Sequence, residues 1–325
     1  MISDKKVLIT GGLGMIGSTI AAILVEQGAE VTLVDALIKP FGGNLFNVKN
    51  FKDKVSVNIA DIRDKEAMKV LVRDKDVIFN LAAQVSHNDS LLDPFTDADI
   101  NYIGHLSVLE AVKNFNPTAK ILYSGSRLQF GKILSNPVDE SHPLNPLTPY
   151  AVNKTAAEDL YLFYHRAFNI PVIIFRIANP FGPRCQMQHS KYSIVNWFIR
   201  AAIEDKEIRV FGDGDQIRDY IYVEDLAVAM LSAAFNDKLT GEIFNVGSGV
   251  GTRFKDMVTA IVKIVGKGKI KFQPWPKDYL NVETGDYITN ITKITTSLNW
   301  KPDTSLEEGI EKTIKFYQEF KSFYW

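Results

Sequence analysis

One stretch near the start, VLITGGLGMIGSTIAAILVEQGAEVTLVD (residues 7–35), leaves few folds open. An apolar run stops at Thr10, glycines stand at 11, 12, 14 and 17, a helix-periodic segment reaches Gly28, and a second apolar run ends in Asp35. Gly11 permits a tight turn after the strand, and Gly14 lets the backbone approach a pyrophosphate. That anion would sit at a helix start, where the free N–H groups of Met15, Ile16 and Gly17 and the helix dipole favour negative charge. Gly17 lets the helix lie close against the sheet. An acidic residue closing the second strand, Asp35, suits the hydroxyls of an adenosine ribose. Its carboxylate would repel a 2′-phosphate and no arginine follows within several residues, so NAD is expected rather than NADP.

The same alternation of strand and helix continues. VSVNIA (55–60), VIFNLAA (77–83), KILYSG (120–125) and PVIIFRIA (171–178) read as further strands. Between them 64–73, 100–114 and 150–169 carry helical periodicity. Near-continuous Val/Ile/Leu runs imply strands covered on both faces, hence an α/β fold with a doubly wound parallel sheet of the Rossmann type. After about residue 180 prolines and the polar stretch RCQMQHSKYS break the alternation. The expected division is a dinucleotide-binding domain over 1–180, with a return near 216–238, and a smaller mixed α/β substrate lobe over 181–325.

Bulk properties narrow the function. With 325 residues, 46% of them hydrophobic, a large core is available, and a formal net charge of −1 gives no basic field for nucleic acid or anionic membrane. The single cysteine, Cys185, cannot close an intrachain disulfide, which suits a reducing cytoplasm. The first residues show no basic region followed by a long apolar segment, and no apolar run is of spanning length, so neither a leader nor a membrane anchor is expected. No metal site is expected either.

Two further stretches carry chemistry. YSGSRLQFGK (123–132) offers Ser124 and Ser126 at the end of the fifth strand, and Tyr150 and Lys154 follow in YAVNK at helical spacing. Residues four apart share a helix face. A free tyrosine titrates near ~10 and is a poor base at neutral pH. A neighbouring ammonium and a positive nicotinamide ring both favour the phenolate. A drop of roughly two to three units would take about 3–4 kcal/mol, within reach of two charges in a dry site. A second Tyr-x-x-x-Lys, Tyr317 and Lys321, lies in an aromatic tail with no serine strand before it, and reads as an amphipathic terminal helix.

With TGGLGMIG at 10–17, several segments resemble the extended short-chain dehydrogenase/reductase family. They are Asp61-Ile62-Arg63, Leu81-Ala82-Ala83, Asn101 with Gly104, Tyr150/Lys154, RIANP at 176–180, and FGDGDQIRDYIYVEDLA at 211–227. The match spans nearly the whole chain in the expected order and points to the members that modify nucleotide sugars, the epimerases and dehydratases. The resemblance implies that Asp61 and Ile62 contact adenine. Leu81, Ala82 and Ala83 would line the pyrophosphate and ribose, and the Ile177 backbone would hold the nicotinamide carboxamide. It selects Ser126 over Ser124, five residues before Gly131, as partner of Tyr150 and Lys154. Asn179 and Arg218 fall at positions that bind a diphosphate.

Around that core, Ser86 and His87 at the edge past the fourth strand, together with Arg127, are candidates for the sugar. Tyr192 and Asn196 are candidates for the nucleotide base, while Trp197 and Phe198 are expected to pack. Family dehydratases follow their active-site threonine with Asp-Glu, and decarboxylases carry Glu there; here Arg127 and Leu128 stand instead. The expected function is therefore epimerisation, most readily at C4, through a transient 4-keto sugar. A 4-dehydrogenase or 4-reductase using the same three residues stays open, as do, further off, a dehydratase, a decarboxylase or a non-catalytic NAD sensor. Many family members carry a phosphate-clamping arginine where this chain has Glu283, so the second clamp is lost or supplied elsewhere, with Lys191 and Arg184 as candidates. The helices at 100–114 and 150–168 match the pair that forms a four-helix bundle in dimers of related enzymes, so a homodimer is expected.

Overall fold

The computed structural model describes every residue except Met1, Pro40, Lys277, Asp278 and Tyr279. The apolar runs become parallel strands: β1 (Lys6–Thr10), β2 (Glu30–Asp35), β3 (Val55–Ile59), β4 (Val77–Asn80), β5 (Lys120–Ser126) and β6 (Val172–Ile177). A seventh, β10 (Ile243–Val246), adds to the outer edge of β6, giving the order β10-β6-β5-β4-β1-β2-β3. Chain progression reverses around β1, whose neighbours are β2 and β4. A crevice opens at such a reversal, beyond the carboxyl ends of the strands, and ligands bind there.

Helices cover both faces, as the two-sided burial demands. On one, α1 (Met15–Glu26) and α8 (Val223–Ala234) bury Ile20, Leu24, Leu226 and Met230 against Ile9, Leu33 and Phe175. On the other, α5 (His105–Phe115) and α6 (Pro149–Phe168) bury Val108, Val112 and Tyr161 against Leu8, Ile78 and Ile121. A separate core forms the lobe. There α7 (Ile194–Ile203), α9 (Phe254–Val265) and α11 (Leu306–Phe320) pack Ile199, Ile261 and Ile314 around β8 (Glu207–Phe211) and β9 (Ile217–Tyr222). Two small sheets complete it: β7 (Asn179–Phe181), β9 and β11 (Gly251–Arg253) in one, β8 and β12 (Lys269–Gln273) in the other.

Several elements depart from the sequence reading. The strand read over 77–83 ends at Asn80, because the N–H groups of Leu81 and Ala82 turn to the Thr10 hydroxyl, each at 3.2 Å. Residues past it form α3 (His87–Leu92) and α4 (Pro94–Ala98) rather than plain loop. Ser86 and Asp93 cap them by accepting from Asp89 N at 3.1 Å and Thr96 N at 3.0 Å, and Pro94 takes the first helical position. Asp99–Gly104 winds as a π-helix into α5. The segment 216–238 splits: β9 stays in the lobe, and α8 packs on α1 beneath the large sheet.

Candidate active site

The glycine turn is built as its residues require. Gly11 has φ +63°, and a Cβ there would stand 3.0 Å from the backbone of Leu81 and Ala82. A Cβ on Gly17 would strike the Gly11 carbonyl, so α1 can begin this close to the turn only with glycine. Gly14 caps α1 with no side chain, and no acidic residue occupies its first turn. The exposed start of α1 is thus ready for an anion. At the end of β2, Asp35 accepts from Leu13 N at 3.2 Å and Leu37 N at 2.9 Å. Burial lifts its pKa above the ordinary carboxylate value against those two bonds. A carboxylate has about four lone-pair sites, so two remain for ribose hydroxyls. These features fit a dinucleotide.

A single cleft of about 1130 Å³ runs from that turn past the end of β5 to the lobe. Its wall includes Gly11, Gly14, Met15, Ile16, Gly17, Asp35, Asp61, Ile62, Leu81, Ala82, Ala83 and Ile177 on the sheet side. Ser126, Tyr150 and Lys154 stand midway, and His87, Arg127, Asn179, Tyr192 and Arg218 line the lobe side. Asp61 sits at the wall with its carboxylate already forked by Arg63, at 2.6 and 3.0 Å. Burial pushes that carboxyl up, but the Arg63 bonds outweigh it and hold it below the usual value.

Two predicted substrate contacts are not at the wall. Ser86 is fully buried and spends its hydroxyl capping α3. Asn196 is also fully buried and pins the turn at Gly182, donating to its carbonyl at 2.6 Å and accepting from its N–H at 3.2 Å. Trp197 and Phe198 pack into the lobe core as expected, Phe198 5% exposed and edge-on to Phe254, and both also border the cleft with Phe211 and Trp275. Tyr192 lies in the turn before α7, its ring edge-on to His189 at 4.8 Å.

Of the two serines, Ser126 is the one whose hydroxyl acts on the Tyr150 phenol, drawing its pKa down against burial. It also caps the tight turn 127–130, accepting from Leu128 N at 3.3 Å, while Gln129 bonds its own N–H at 2.7 Å. That double tether fixes the hydroxyl. Ser124 instead gives its carbonyl to the Lys154 ammonium at 3.0 Å, and the ammonium lies 5.1 Å from the centroid of the Tyr123 ring. Thr148 caps α6 and Pro149 opens it, so Tyr150 and Lys154 present the first turns of that helix to the cleft.

The expected lowering of the Tyr150 pKa is not what the protein alone provides. Burial pushes it up to about 12, and Ser126 only partly opposes this. Burial likewise takes Lys154 down to about 8, with Asp97 pulling it back up. Desolvation therefore outweighs the one-turn spacing, because the ammonium is drawn toward the Ser124 carbonyl.

Asp97 escaped the sequence reading. Its carboxylate is fully buried beneath α6 and accepts from Asn153 Nδ2 at 2.7 Å, Gln84 Nε2 at 3.0 Å and Asn101 Nδ2 at 3.0 Å. Nothing in the spacing signals it, since a lone Asp before a helix reads as a cap. On the lobe side, Arg218 forms an ion pair with Glu283 and donates to the carbonyls of Ile217 and Gly285 at 2.9 and 3.0 Å. Lys191 pairs with Asp89 at 2.7 Å, and Arg184 is not at the cleft wall. His87 is driven down to about 4 by burial and by Arg127, against Glu283 and Asp89, so it is neutral at physiological pH.

Comparison with known proteins agrees with this geometry. The model of the family described as GDP-mannose 4,6 dehydratase matches residues 8–313. The chain is 33% identical over 318 residues to a UDP-glucose 4-epimerase of Mycolicibacterium smegmatis, covering 96% of this chain and 98% of that one. Its fold superposes on the UDP-glucose 4-epimerase of Thermotoga maritima solved with UDP-glucose, at a TM-score of 0.89, 30% identity, and 97% and 99% coverage. It likewise superposes on the Thermus thermophilus UDP-glucose 4-epimerase in complex with NAD, at a TM-score of 0.86, 28% identity, and 96% and 99% coverage. With the glycine turn, the serine–tyrosine pair and these likenesses in place, the chain belongs to the GDP-mannose 4,6 dehydratase family, among the extended short-chain dehydrogenase/reductase enzymes that epimerise or dehydrate nucleotide sugars.

Proposed function

We propose that the protein is an NAD-dependent nucleotide-sugar epimerase acting at C4 through a transient 4-keto sugar. The observation that carries this reading is the composition of the wall beside Ser126. The serine and Tyr150 line the same stretch of the cleft, and the next positions, Arg127 and Leu128, offer no acid/base pair for eliminating water. With only a proton-transfer pair available, the outcome is return of the hydride to the other face of the ketone.

Bound NAD⁺ would accept the hydride and place a positive ring beside Tyr150. The chain's own residues do the rest. Gly11, Gly14 and Gly17 seat the pyrophosphate and Asp35 the adenosine ribose. Tyr150 takes the proton of the reacting hydroxyl, its neutral form at pH 7 giving way to phenolate when positive charge arrives. Ser126, fixed by its two backbone tethers, hydrogen-bonds the same oxygen and keeps the partial negative charge in place. Lys154, protonated below about pH 8, stands behind the tyrosine on the same helix. Asn179 and Arg218 serve the diphosphate, and Tyr192 the base. The enzyme would act in the cytoplasm as a homodimer; among the described residues no helix is long and apolar enough to cross a membrane.

The test is to denature the purified protein and identify released NAD(H), then incubate native protein with UDP-, GDP-, CDP- and dTDP-sugars without added cofactor. A new C4 epimer is expected. Stoichiometric NADH with an accumulating keto-sugar would replace the epimerase by a dehydrogenase.

A further inference from the structure

The lobe side of the cleft holds a positive charge that makes no ion pair among the described residues. Arg127 follows Ser126 directly, and its guanidinium is positioned by neutral acceptors alone: Nε donates to Asn179 Oδ1 and Nη1 to Thr284 Oγ1, both at 3.1 Å. It lies over the Tyr287 ring at 5.4 Å. Among the described residues no carboxylate comes within ion-pair distance of it, and Nη2 has no acceptor. Arg218, by contrast, already carries Glu283. Tyr220, which lines the same cleft and feels the charge of both guanidinium groups, is 4% exposed, and its buried hydroxyl has no hydrogen-bond partner among the described residues. Guanidinium groups donate and cannot accept, so neither neighbour can take that hydroxyl's proton.

A part-buried charge without an ion-pair partner and a buried donor without an acceptor are ready for a ligand that completes both. Burial first and then the repulsion of Arg218 bring Arg127 down to about 10, with Tyr287, Glu283 and Tyr220 only partly opposing them. What is missing is an anion with several acceptor oxygens, able to take one fork and one hydroxyl together; a phosphate has that shape. Arg218, half-neutralised by Glu283, could not hold a diphosphate alone.

Building on the epimerase reading, we propose that Arg127 and Tyr220 bind the phosphate that adjoins the sugar, so that the second cation of the diphosphate seat comes from the turn after the candidate catalytic serine and not from position 283. This guanidinium belongs to the residue next to the serine whose hydroxyl serves the reacting sugar oxygen. The same residue that stands where a dehydratase has its acid thus holds the phosphate end of the sugar. The arrangement ties the sugar's placement to its phosphate.

The test compares calorimetric binding of UMP, UDP and UDP-glucuronate, with the guanosine, cytidine and thymidine mono- and diphosphate pairs, to the NAD-loaded protein. Wild type should prefer the diphosphate. Arg127→Met should weaken diphosphate binding at least tenfold while changing monophosphate binding less than threefold; Arg127→Lys should recover part of the loss, and Tyr220→Phe should show a smaller loss of the same kind. Retention of the NAD-induced rise in melting temperature shows that each variant is folded. Equal loss for mono- and diphosphate, or no loss, overturns the proposal. So does a loss confined to UDP-glucuronate, which would place Arg127 on a sugar carboxylate while leaving the epimerase reading standing. Failure of wild type to bind any nucleotide would remove both.

Discussion

The two walls of the cleft are made differently. On the sheet side, the ligand-facing groups are mainly backbone: a glycine turn, a bare helix start, strand ends released at Thr10 and Asn80. On the lobe side they are side chains that reach in from separate segments: Arg127 from a turn, Asn179 from β7, Arg218 from β9, Glu283 from a loop and Trp197 from α7. A backbone-built wall is fixed by the fold and admits one kind of cofactor. A side-chain wall can be rewritten residue by residue, and here it has been, with a carboxylate at 283 and a guanidinium at 127.

The first way to break this contrast is at its seam. Tyr150→Phe removes the proposed proton acceptor, and turnover should fall by about two to four orders of magnitude while NAD stays bound, measured by single-turnover assays and cofactor release. Retained activity would show that another group does the chemistry. On the sheet side, Gly17→Ala inserts a Cβ into the Gly11 carbonyl. Overpacking of this kind costs about 1–3 kcal/mol, visible as a lower melting temperature together with weaker NAD binding, while an equal substitution in the lobe wall should leave NAD binding alone.

A finer probe is pH. Lys154 is protonated below about 8, so turnover that depends on its charge should decline as pH rises through that value. Asp97 raises the pKa of both Lys154 and Tyr150. Asp97→Asn should therefore move both limbs of the kcat profile to lower pH, by about one unit. Of the other ionisable groups packed there, His105, Tyr123, Tyr161 and the buried Glu158–Arg176 pair, Tyr123 is also raised by Asp97, but its burial keeps it neutral with or without that charge. A lower kcat with unmoved limbs would mean that Asp97 only braces α6. Smallest of all, Val152 and Phe163 are about half exposed on α6. Phe163→Glu should shift a dimer toward monomer in sedimentation at micromolar concentration, with little change in the active site.

The same contrast explains what could be read in advance. The glycine spacing and the Val/Ile/Leu runs dictated the sheet, its parallel sense and the cofactor wall, because each is a local pattern locked to backbone geometry. Tyr150, Lys154 and Ser126 were legible through their spacing and family resemblance. Their protonation was not, since burial and the pull of the Ser124 carbonyl belong to the packed structure. Ser86 and Asn196 were misread because capping and loop-pinning use the same polar side chains that ligands attract. Trp197 and Phe198 were read as core and do pack there, but an amphipathic helix does not say that the same rings also border an open cleft. Glu283 was noticed as a departure, but its partnership with Arg218 spans 65 residues of chain and leaves no local trace.

The late arrival of β10 on the sheet has a practical outcome. After β6 the chain builds much of the lobe, comes back through α8, and only then lays Ile243–Val246 along β6. Cutting near residue 180 would strip that flank and leave a bare row of amide and carbonyl groups, an invitation to pair with a neighbour. Expressed alone, the first 180 residues should aggregate, and the intact protein should melt in one calorimetric step.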